Sequence, residues 1–422
     1  MRAELLVCLL ALLLTLLVLQ SSVRLNTSMM LSIFFLVFLG GSQGYLPQYY
    51  LAFFVSFLWS LIILVRSAGL NNTGVALKTA IPTVLIFFSG LTVLTTNNLY
   101  ILVFGFESMM LSSLFLLKLL AKSERSTEAV VEMFVWGVVG SLLLIGSLIV
   151  KAFDQGGTLS LTCATLAALG FAIKVPLWPF TSWLLKAHVE ASTEFSIFLS
   201  GFLVKFGTIA LVSLSKTISL GLGVSLLWPL SVVGILDACV KLLAQVDLKR
   251  VVALTTVIET NWLMFCLSSQ NTILEEIASL LIIVHCFTTT VEFYLVEFLY
   301  KRYGTRNYLR ISNVYNLYPN LNKALLLSLA IVIGLPGTSI FTLKFIFFTQ
   351  LLSLPLSLLV FFLIVFMFLL PICFVRIFLI IRGGYQFSPT TTISDLSSSE
   401  LSALLIPLFV ATLLSPVLVF LL

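Results

Sequence analysis

Charged side chains are scarce in this sequence of 422 residues, of which only 9% are Asp, Glu, Lys or Arg. An average soluble domain contains about 25% charged residues, so this chain lacks the polar surface of a soluble enzyme or a disordered chain. The net charge of +6 comes from basic residues scattered between apolar runs, which excludes a nucleic-acid-binding patch. With 60% hydrophobic residues and a mean hydropathy of +1.17, the composition is that of a polytopic helical membrane protein.

Motifs that hold cofactors are also missing. The sequence contains no phosphate-binding loop, no glycine-rich dinucleotide fingerprint after a strand and no HExxH zinc motif. Its two histidines and six cysteines show no metal-ligand spacing, so we expect no metal, nucleotide, flavin or haem in this chain and no disulfide. The cysteines all lie in apolar runs and are interpreted as core residues: Cys8, Cys163, Cys239, Cys266, Cys286 and Cys373.

Long apolar runs separated by polar breaks fill the chain. Because a hydrocarbon core about 30 Å thick requires ~20 helical residues, these runs predict an all-α fold with about 14 transmembrane helices. The first run is interpreted as a spanning helix rather than a signal peptide because of its length, and 13 helices remain the alternative count. The predicted spans are 3–22, 28–41, 45–65, 80–96, 98–119, 129–150, 158–182, 190–215, 219–243, 250–268, 273–299, 323–349, 352–381 and 401–421.

Lysine and arginine alternate from loop to loop. With 14 helices, the odd-numbered loops and the adjoining helix ends contain 17 of the 23 basic residues. The even-numbered loops and the termini contain only Arg2, Lys151 and Lys216. By the positive-inside rule, the odd loops face the matrix or cytoplasm and both termini face the opposite side.

The three remaining basic residues, Lys174, Lys205 and Lys344, lie within predicted spans, as do the carboxylates Glu107 and Glu259. A charge at the bilayer centre costs roughly 2.5–3.5 kcal/mol, so five lipid-facing charges would cost on the order of 15 kcal/mol. These side chains must therefore face one another or hydrated cavities. They are either ion pairs that only hold helices together or a proton path. We favour the path, because a buried lysine beside a carboxylate can exchange protons near neutral pH.

Other polar residues are less decisive. His285 and Glu292 lie seven residues apart on one predicted helix, and therefore on nearly the same face. His285 is either a proton relay or a core histidine bonded to Ser or Thr. His188 and Glu190 lie at a predicted helix end, where they either support the path or form a cap at the membrane interface.

Two predicted helices, the seventh and the twelfth, are interrupted near a buried lysine. Pro176 and Pro179 interrupt the seventh, and a GLPG string with Pro336 and Gly337 interrupts the twelfth. Such breaks mark ion sites in inverted-repeat transporters. The first and second buried lysines are 31 residues apart, and the third is 32 residues before Arg376. The spacing predicts inverted repeats over helices 4–8 and 9–13, in one membrane domain divided into 1–79, 80–216, 219–382 and 383–422.

Four sequence blocks identify a family. Residues 174–207 read KVPLWPFTSWLLKAHVEASTEFSIFLSGFLVKFG, with the specific string K-A-H-V-E-A. The blocks QVDLKRVVALTTVIETN at 245–261, VHCFTTT at 284–290 and the segment 335–345 follow in order. Together these blocks resemble the chain 4 family of the antiporter-like membrane subunits of NADH:ubiquinone oxidoreductase, respiratory complex I. The resemblance covers predicted helices 7–12.

This resemblance implies a proton-translocating subunit driven by electron transfer elsewhere in the complex. It implies that Glu107 pairs with Lys174, that Lys205 continues the path, that Lys344 exchanges protons with the outer side and that His285 belongs to a central polar axis. NADH, FMN, Fe–S clusters and ubiquinone are then expected in other subunits. The implied partners are the sister antiporter-like subunits (chains 2 and 5) and lipids such as cardiolipin. The implied location is the mitochondrial inner membrane, with a bacterial plasma membrane as the alternative.

Seven residues depart from the family's pattern: Thr181, Leu185, Ser192, Glu259, Asn261, Glu292 and Lys344. Lys344 stands where this family usually has glutamate and the sister subunits have lysine, so the position stays ionisable. Thr181 replaces a histidine, which removes one possible relay group. Two other functions therefore stay open: a stand-alone cation/proton antiporter of the multi-subunit type, and a structural subunit whose channel is vestigial.

Overall fold

The computed structural model describes residues 73–96, 98–121, 125–153, 160–215, 221–269 and 271–383, and the pairs 395–396, 400–401 and 404–405. The predicted spans at 3–22, 28–41 and 45–65 and most of the span at 401–421 lie outside these residues. The described chain forms two compact units, one that ends at Ala278 and one that begins at Ser279.

Helices account for every regular element described in the first unit. A π-helical segment, Leu199–Leu203, joins α6 to α7, and α10 begins here and continues into the second unit. The helices are α1 (Thr73–Thr95), α2 (Leu99–Leu120), α3 (Ser126–Phe153), α4 (Ser160–Lys174), α5 (Ser182–Glu190), α6 (Thr193–Phe198), α7 (Val204–Ser215), α8 (Gly221–Ala244), α9 (Leu248–Ser268) and α10 (Thr272–Tyr303).

The second unit is also helical in its described part. A 3₁₀ turn at Tyr308–Arg310 and short helices connect the long ones, and a second π-helical segment, Ile364–Leu369, joins α14 to α15. Asp395 caps the start of α12 by accepting hydrogen bonds from the backbone of Asn320 (2.7 Å) and Leu321 (3.2 Å). The helices are α11 (Val314–Leu317), α12 (Pro319–Ile333), α13 (Ser339–Leu351), α14 (Leu356–Leu363) and α15 (Leu370–Gly383).

Seven helices in the described residues are long and apolar enough to cross a membrane. This confirms an all-α polytopic fold, while the count of 14 spans stays a prediction. Outward-facing Phe, Leu, Ile and Val side chains along these helices are exposed, as lipid contact requires. The seven are Tyr100–Leu120, Ser126–Phe153, Thr193–Val212, Leu226–Ala244, Leu248–Ser268, Thr272–Tyr303 and Leu356–Gly383.

The predicted interruption of the seventh span is confirmed, but its boundaries were wrong. The span was predicted to run to residue 182, whereas α4 ends at Lys174. Pro176 explains this end, because it has no backbone N–H to donate and disfavours helical geometry in the residue before it. The separate helix α5, Ser182–Glu190, was not predicted. Its sequence SWLLKAHVE contains no long apolar run, so hydropathy alone missed it.

The interruption before Lys344 also occurs where the sequence predicts it. Helix α12 ends at Ile333, its C-cap residue Gly334 has a left-handed φ of +80°, and Gly337 has a φ of +94°. Glycine adopts this geometry without the steric penalty that a Cβ atom brings. Thr338 then caps α13, since its hydroxyl oxygen accepts a hydrogen bond from the Phe341 backbone at 3.3 Å.

Helices α3 and α4 approach most closely at two facing glycines. A Cβ atom added to Gly170 would lie 2.8 Å from Leu144 Cγ and 3.0 Å from the Gly140 carbonyl oxygen. A Cβ atom added to Gly140 would lie 3.1 Å from Lys174 Cγ. This crossing therefore sets the position of Lys174 at the end of α4.

We expect Gly170→Ala to lower the free energy of unfolding by about 1–3 kcal/mol, because the helix backbones must separate to admit the methyl group. The matched control is Gly146→Ala on α3, where the nearest atom, Leu166 Cδ1, is 4.0 Å away. Thermal unfolding in detergent measures both variants. Equal melting temperatures for Gly170→Ala and the parent protein would show that the crossing is not tight.

Candidate functional site

Lys174 forms the centre of the candidate site in the first unit. It is the last residue of α4, where the carbonyl end of the helix dipole favours a cation. Its side chain is fully buried. Its Nζ atom donates a hydrogen bond to Glu107 Oε1 at 2.5 Å and lies 4.8 Å from the centre of the Phe106 ring. The ammonium is thus stabilised by a carboxylate and an aromatic face.

Glu107, on α2, is the partner of Lys174 in this ion pair. A quarter of its side chain is exposed, whereas the lysine side chain has no exposure. The resemblance implied this pairing, and the structure places the two groups in direct contact. Glu107 is therefore the less buried member of the pair.

Ser141, on α3, is a third member of the site that the sequence did not reveal. Its Oγ atom lies 2.6 Å from Glu107 Oε2 and 3.2 Å from Lys174 Nζ. Each oxygen of the Glu107 carboxylate therefore has its own partner, Lys174 for Oε1 and Ser141 for Oε2.

Lys205 is also fully buried and is the second residue of α7, which follows the π-helical segment Leu199–Leu203. Such segments occur frequently at functional sites because they redirect side chains. Helix α7 packs against α4. A Cβ atom added to Gly207 would lie 2.9 Å from Val175 Cγ2 and 3.6 Å from Phe106 Cζ. The helix that bears Lys205 therefore touches the surroundings of Lys174.

His188 and Glu190 both lie in the last turn of α5, and His188 has no solvent exposure. Glu190, at the end of α5, lines a cavity of about 340 Å³ together with Glu128 and Lys186. The two residues therefore lie in different surroundings, His188 in the core and Glu190 at a cavity.

Lys249 is a buried lysine that the sequence placed among the loop residues. It lies in the first turn of α9, and only 1% of it is exposed. Its Nζ atom donates a hydrogen bond to the Ala191 carbonyl oxygen at 2.5 Å, just beyond α5. Lys249 thus links the start of α9 to the end of α5 by a hydrogen bond. Glu259, further along α9, is half-buried.

Lys344 has a different environment, within the second unit. It is buried on α13, and its Nζ atom donates a hydrogen bond to the Ile333 carbonyl oxygen at 2.8 Å. That carbonyl is at the end of α12, where the helix dipole attracts a cation. Nζ also lies 5.5 Å from the centre of the Phe366 ring, in the π-helical segment between α14 and α15.

His285 and Glu292 are both buried on α10, as the seven-residue spacing predicted for one face. The hydroxyl groups of Thr288 and Thr289 donate hydrogen bonds to the His285 carbonyl at 3.1 Å and 2.8 Å. This stretch of α10 therefore carries ionisable and hydroxyl groups inside an otherwise apolar helix.

The arrangement in the first unit can hold and release a proton. A buried ammonium is strongly disfavoured unless a counter-charge is close. Lys174 has that counter-charge in Glu107, so displacement of the carboxylate makes the lysine a proton donor. The species transferred in this chemistry is the proton itself.

A family model and several known proteins match this chain. Residues 96–370 match the family described as NADH:quinone oxidoreductase/Mrp antiporter, transmembrane. NADH-ubiquinone oxidoreductase chain 4 from Paramecium tetraurelia is 33% identical over 275 residues, covering 62% of this chain and 58% of the relative. The chain 4 protein of Prototheca wickerhamii is 30% identical over 275 residues, covering 61% and 52%. This chain thus spans little more than half the length of these relatives.

A solved structure shares the fold. It is the Mrp complex from Dietzia sp. DQ12-45-1b, with a TM-score of 0.68 and 20% sequence identity. The likeness covers 79% of this chain and 38% of the solved chain. At 20% identity this likeness shows a common fold and does not identify a transported ion.

Proposed function

The chain belongs to the NADH:quinone oxidoreductase/Mrp antiporter transmembrane family, and on that premise we propose that it is a proton-translocating membrane-arm subunit of NADH:ubiquinone oxidoreductase, of the chain 4 type. The buried Lys174–Glu107 pair is the observation that carries the proposal. A buried ion pair suits a proton carrier, since a nearby carboxylate favours the charged form of its lysine and burial favours the neutral form.

The proposed cycle begins with Lys174 protonated and held by Glu107 at 2.5 Å. A helix shift or a change in hydration, driven by redox chemistry in other subunits, weakens this contact. The Lys174 ammonium then loses a proton toward the neutral amine of Lys205, on the neighbouring helix α7. In the second unit, Lys344 performs the release step, with His285 and Glu292 as polar groups of the path.

The environment proposed for the chain follows from the same function. Its partners are other membrane-arm subunits, among them the sister antiporter-like chains 2 and 5, and lipids such as cardiolipin. The chain itself binds no redox group, and NADH, FMN, Fe–S clusters and ubiquinone belong to other subunits. The proposed location is the mitochondrial inner membrane, with both termini on the intermembrane-space side.

A stand-alone cation/proton antiporter is the second candidate, and its support is the fold shared with the Mrp complex. The K-A-H-V-E-A string at 186–191 favours the oxidoreductase instead. A structural subunit with a vestigial channel is less favoured, because all five ionisable residues that prompted the proposal are present: Glu107, Lys174, Lys205, Glu259 and Lys344.

A native gel of mildly solubilised membranes distinguishes these candidates. The gel is stained for NADH dehydrogenase activity and probed for this chain. We expect the chain in a large, NADH-oxidising band. Migration in a small band without that activity would overturn the assignment to the oxidoreductase, and sodium-dependent proton transport in vesicles would then test the antiporter.

A further inference from the structure

One buried hydroxyl group touches both members of the Lys174–Glu107 pair. Ser141 is 7% exposed and lies on α3, the helix between the two that carry the charged residues. Its Oγ atom is 2.6 Å from Glu107 Oε2, 2.6 Å from the Gly137 carbonyl oxygen and 3.2 Å from Lys174 Nζ. All three distances are those of hydrogen bonds.

The Ser141 hydroxyl has two hydrogen-bond acceptors within reach but only one proton to donate. A hydroxyl carries one proton to donate and two lone pairs to accept with. The Lys174 ammonium is a hydrogen-bond donor with no lone pair, so Ser141 must accept the hydrogen bond from it. The Glu107 carboxylate and the Gly137 carbonyl compete for the single hydroxyl proton at equal distance. Only one of them can receive it at a time.

We propose that Ser141 is a positioning residue whose hydroxyl proton changes acceptor with the charge on Glu107. While Glu107 is ionised, Ser141 donates to Oε2, because hydrogen bonds to a charged acceptor are the stronger ones. When Glu107 is neutralised or moves away, the hydroxyl rotates about its Cβ–Oγ bond and donates to the Gly137 carbonyl. The inference rests on the proposed function and specifies how the hydrogen bonds at the pair change when Glu107 changes its charge or position.

This exchange of acceptors needs no backbone movement and breaks no covalent bond. In both states the Oγ atom keeps a lone pair directed at Lys174, so the amine retains a polar partner after the carboxylate is lost. Without the Ser141 hydroxyl, Glu107 Oε2 loses its hydrogen-bond donor. Lys174 also loses the acceptor that remains when the carboxylate moves away. We therefore expect proton exchange at the pair to slow when the hydroxyl is removed.

A second serine on α3 provides a matched control. Ser147 is fully buried, and its hydroxyl donates to the Leu144 carbonyl at 2.6 Å, a bond within its own helix like that from Ser141 to Gly137. Both serines follow a glycine and precede a leucine. Removal of the Ser147 hydroxyl therefore reproduces the loss of a buried polar group on α3 away from the ion pair.

The test measures NADH-driven proton uptake by vesicles that contain the assembled complex. We expect Ser141→Ala to lower the initial uptake rate about five- to tenfold, a factor that a change in one charge-assisted hydrogen bond can produce. Ser141→Thr, which keeps a hydroxyl, restores most of the rate, and Ser141→Cys, a weak donor, gives an intermediate rate. Ser147→Ala stays near the parent rate. The amount of assembled complex is determined on a native gel for each variant.

Two outcomes would overturn the role of Ser141. One is an unchanged uptake rate in Ser141→Ala, and the other is an equal loss in Ser147→Ala or in the hydroxyl-retaining Ser141→Thr. Lys174→Met, measured in the same vesicles, separates this inference from the proposed function. If Lys174→Met loses uptake and Ser141→Ala does not, only the serine proposal fails. If Lys174→Met pumps normally, the proposed function itself is wrong.

Discussion

Replacement of Lys174 by methionine is expected to lower NADH-driven proton uptake about tenfold or more, which corresponds to at least ~1.4 kcal/mol in the barrier. Methionine fills a similar volume in the apolar pocket but cannot carry a proton. Because Lys174 Nζ is the atom that contacts both Glu107 and Ser141, no other group at this site replaces it. The measurement is the initial rate of vesicle acidification or alkalinisation at a fixed amount of assembled complex.

The control for this prediction is Lys241→Met. Lys241 forms an exposed pair with Asp237 on the same helix, and 44% of its side chain is exposed. Surface pairs of this kind contribute about 0–1 kcal/mol, so this variant should assemble and pump like the parent protein. Parental pumping by Lys174→Met in assembled complex would show that the buried pair only holds helices together.

Much of the fold could be predicted from the sequence because the bilayer imposes one rule on every span. Apolar runs of sufficient length form helices, and the prolines and glycines near residues 176 and 334 interrupt them where backbone chemistry requires it. The scarcity of charge also made Lys174, Lys205 and Lys344 conspicuous, and all three are buried. What the sequence could not supply by itself was the partner of each lysine, and the Glu107–Lys174 pairing came from resemblance.

The parts that were missed depend on which face of a helix points where. Ser141 and Ser147 occur in the same local sequence, G-S-L, yet only Ser141 reaches the ion pair. A hydropathy profile cannot distinguish the two, because both are single polar residues in the same apolar helix. Lys249 lies one residue before the predicted span 250–268 and was counted with the basic residues of the odd loops and helix ends, whereas packing of α9 against α5 buries it. Helix α5 was missed because it is too short to register as a span.

Removal of the two partners of the ion pair should have unequal effects on stability. In Glu107→Gln, Lys174 loses its counter-charge at a site with no exposure, so its side chain must either stay charged without a partner or give up its proton, and breaking a buried pair costs about 3–5 kcal/mol. In Lys174→Met the remaining carboxylate is a quarter exposed and keeps its bond from Ser141, so the loss is smaller. Thermal unfolding in detergent ranks the two variants.

The double variant Glu107→Gln/Lys174→Met separates stability from transport. With both charges removed, no buried ion remains unpaired, and a neutral pair of similar volume is often as stable as the ion pair it replaces. We therefore expect the double variant to unfold near the temperature of Lys174→Met and well above that of Glu107→Gln, while proton uptake stays as low as in Lys174→Met. Asp237→Asn, which breaks an exposed pair, should change the melting temperature little. If Lys174→Met were the less stable single variant, Glu107 and not Lys174 would be the more deeply buried member of the pair.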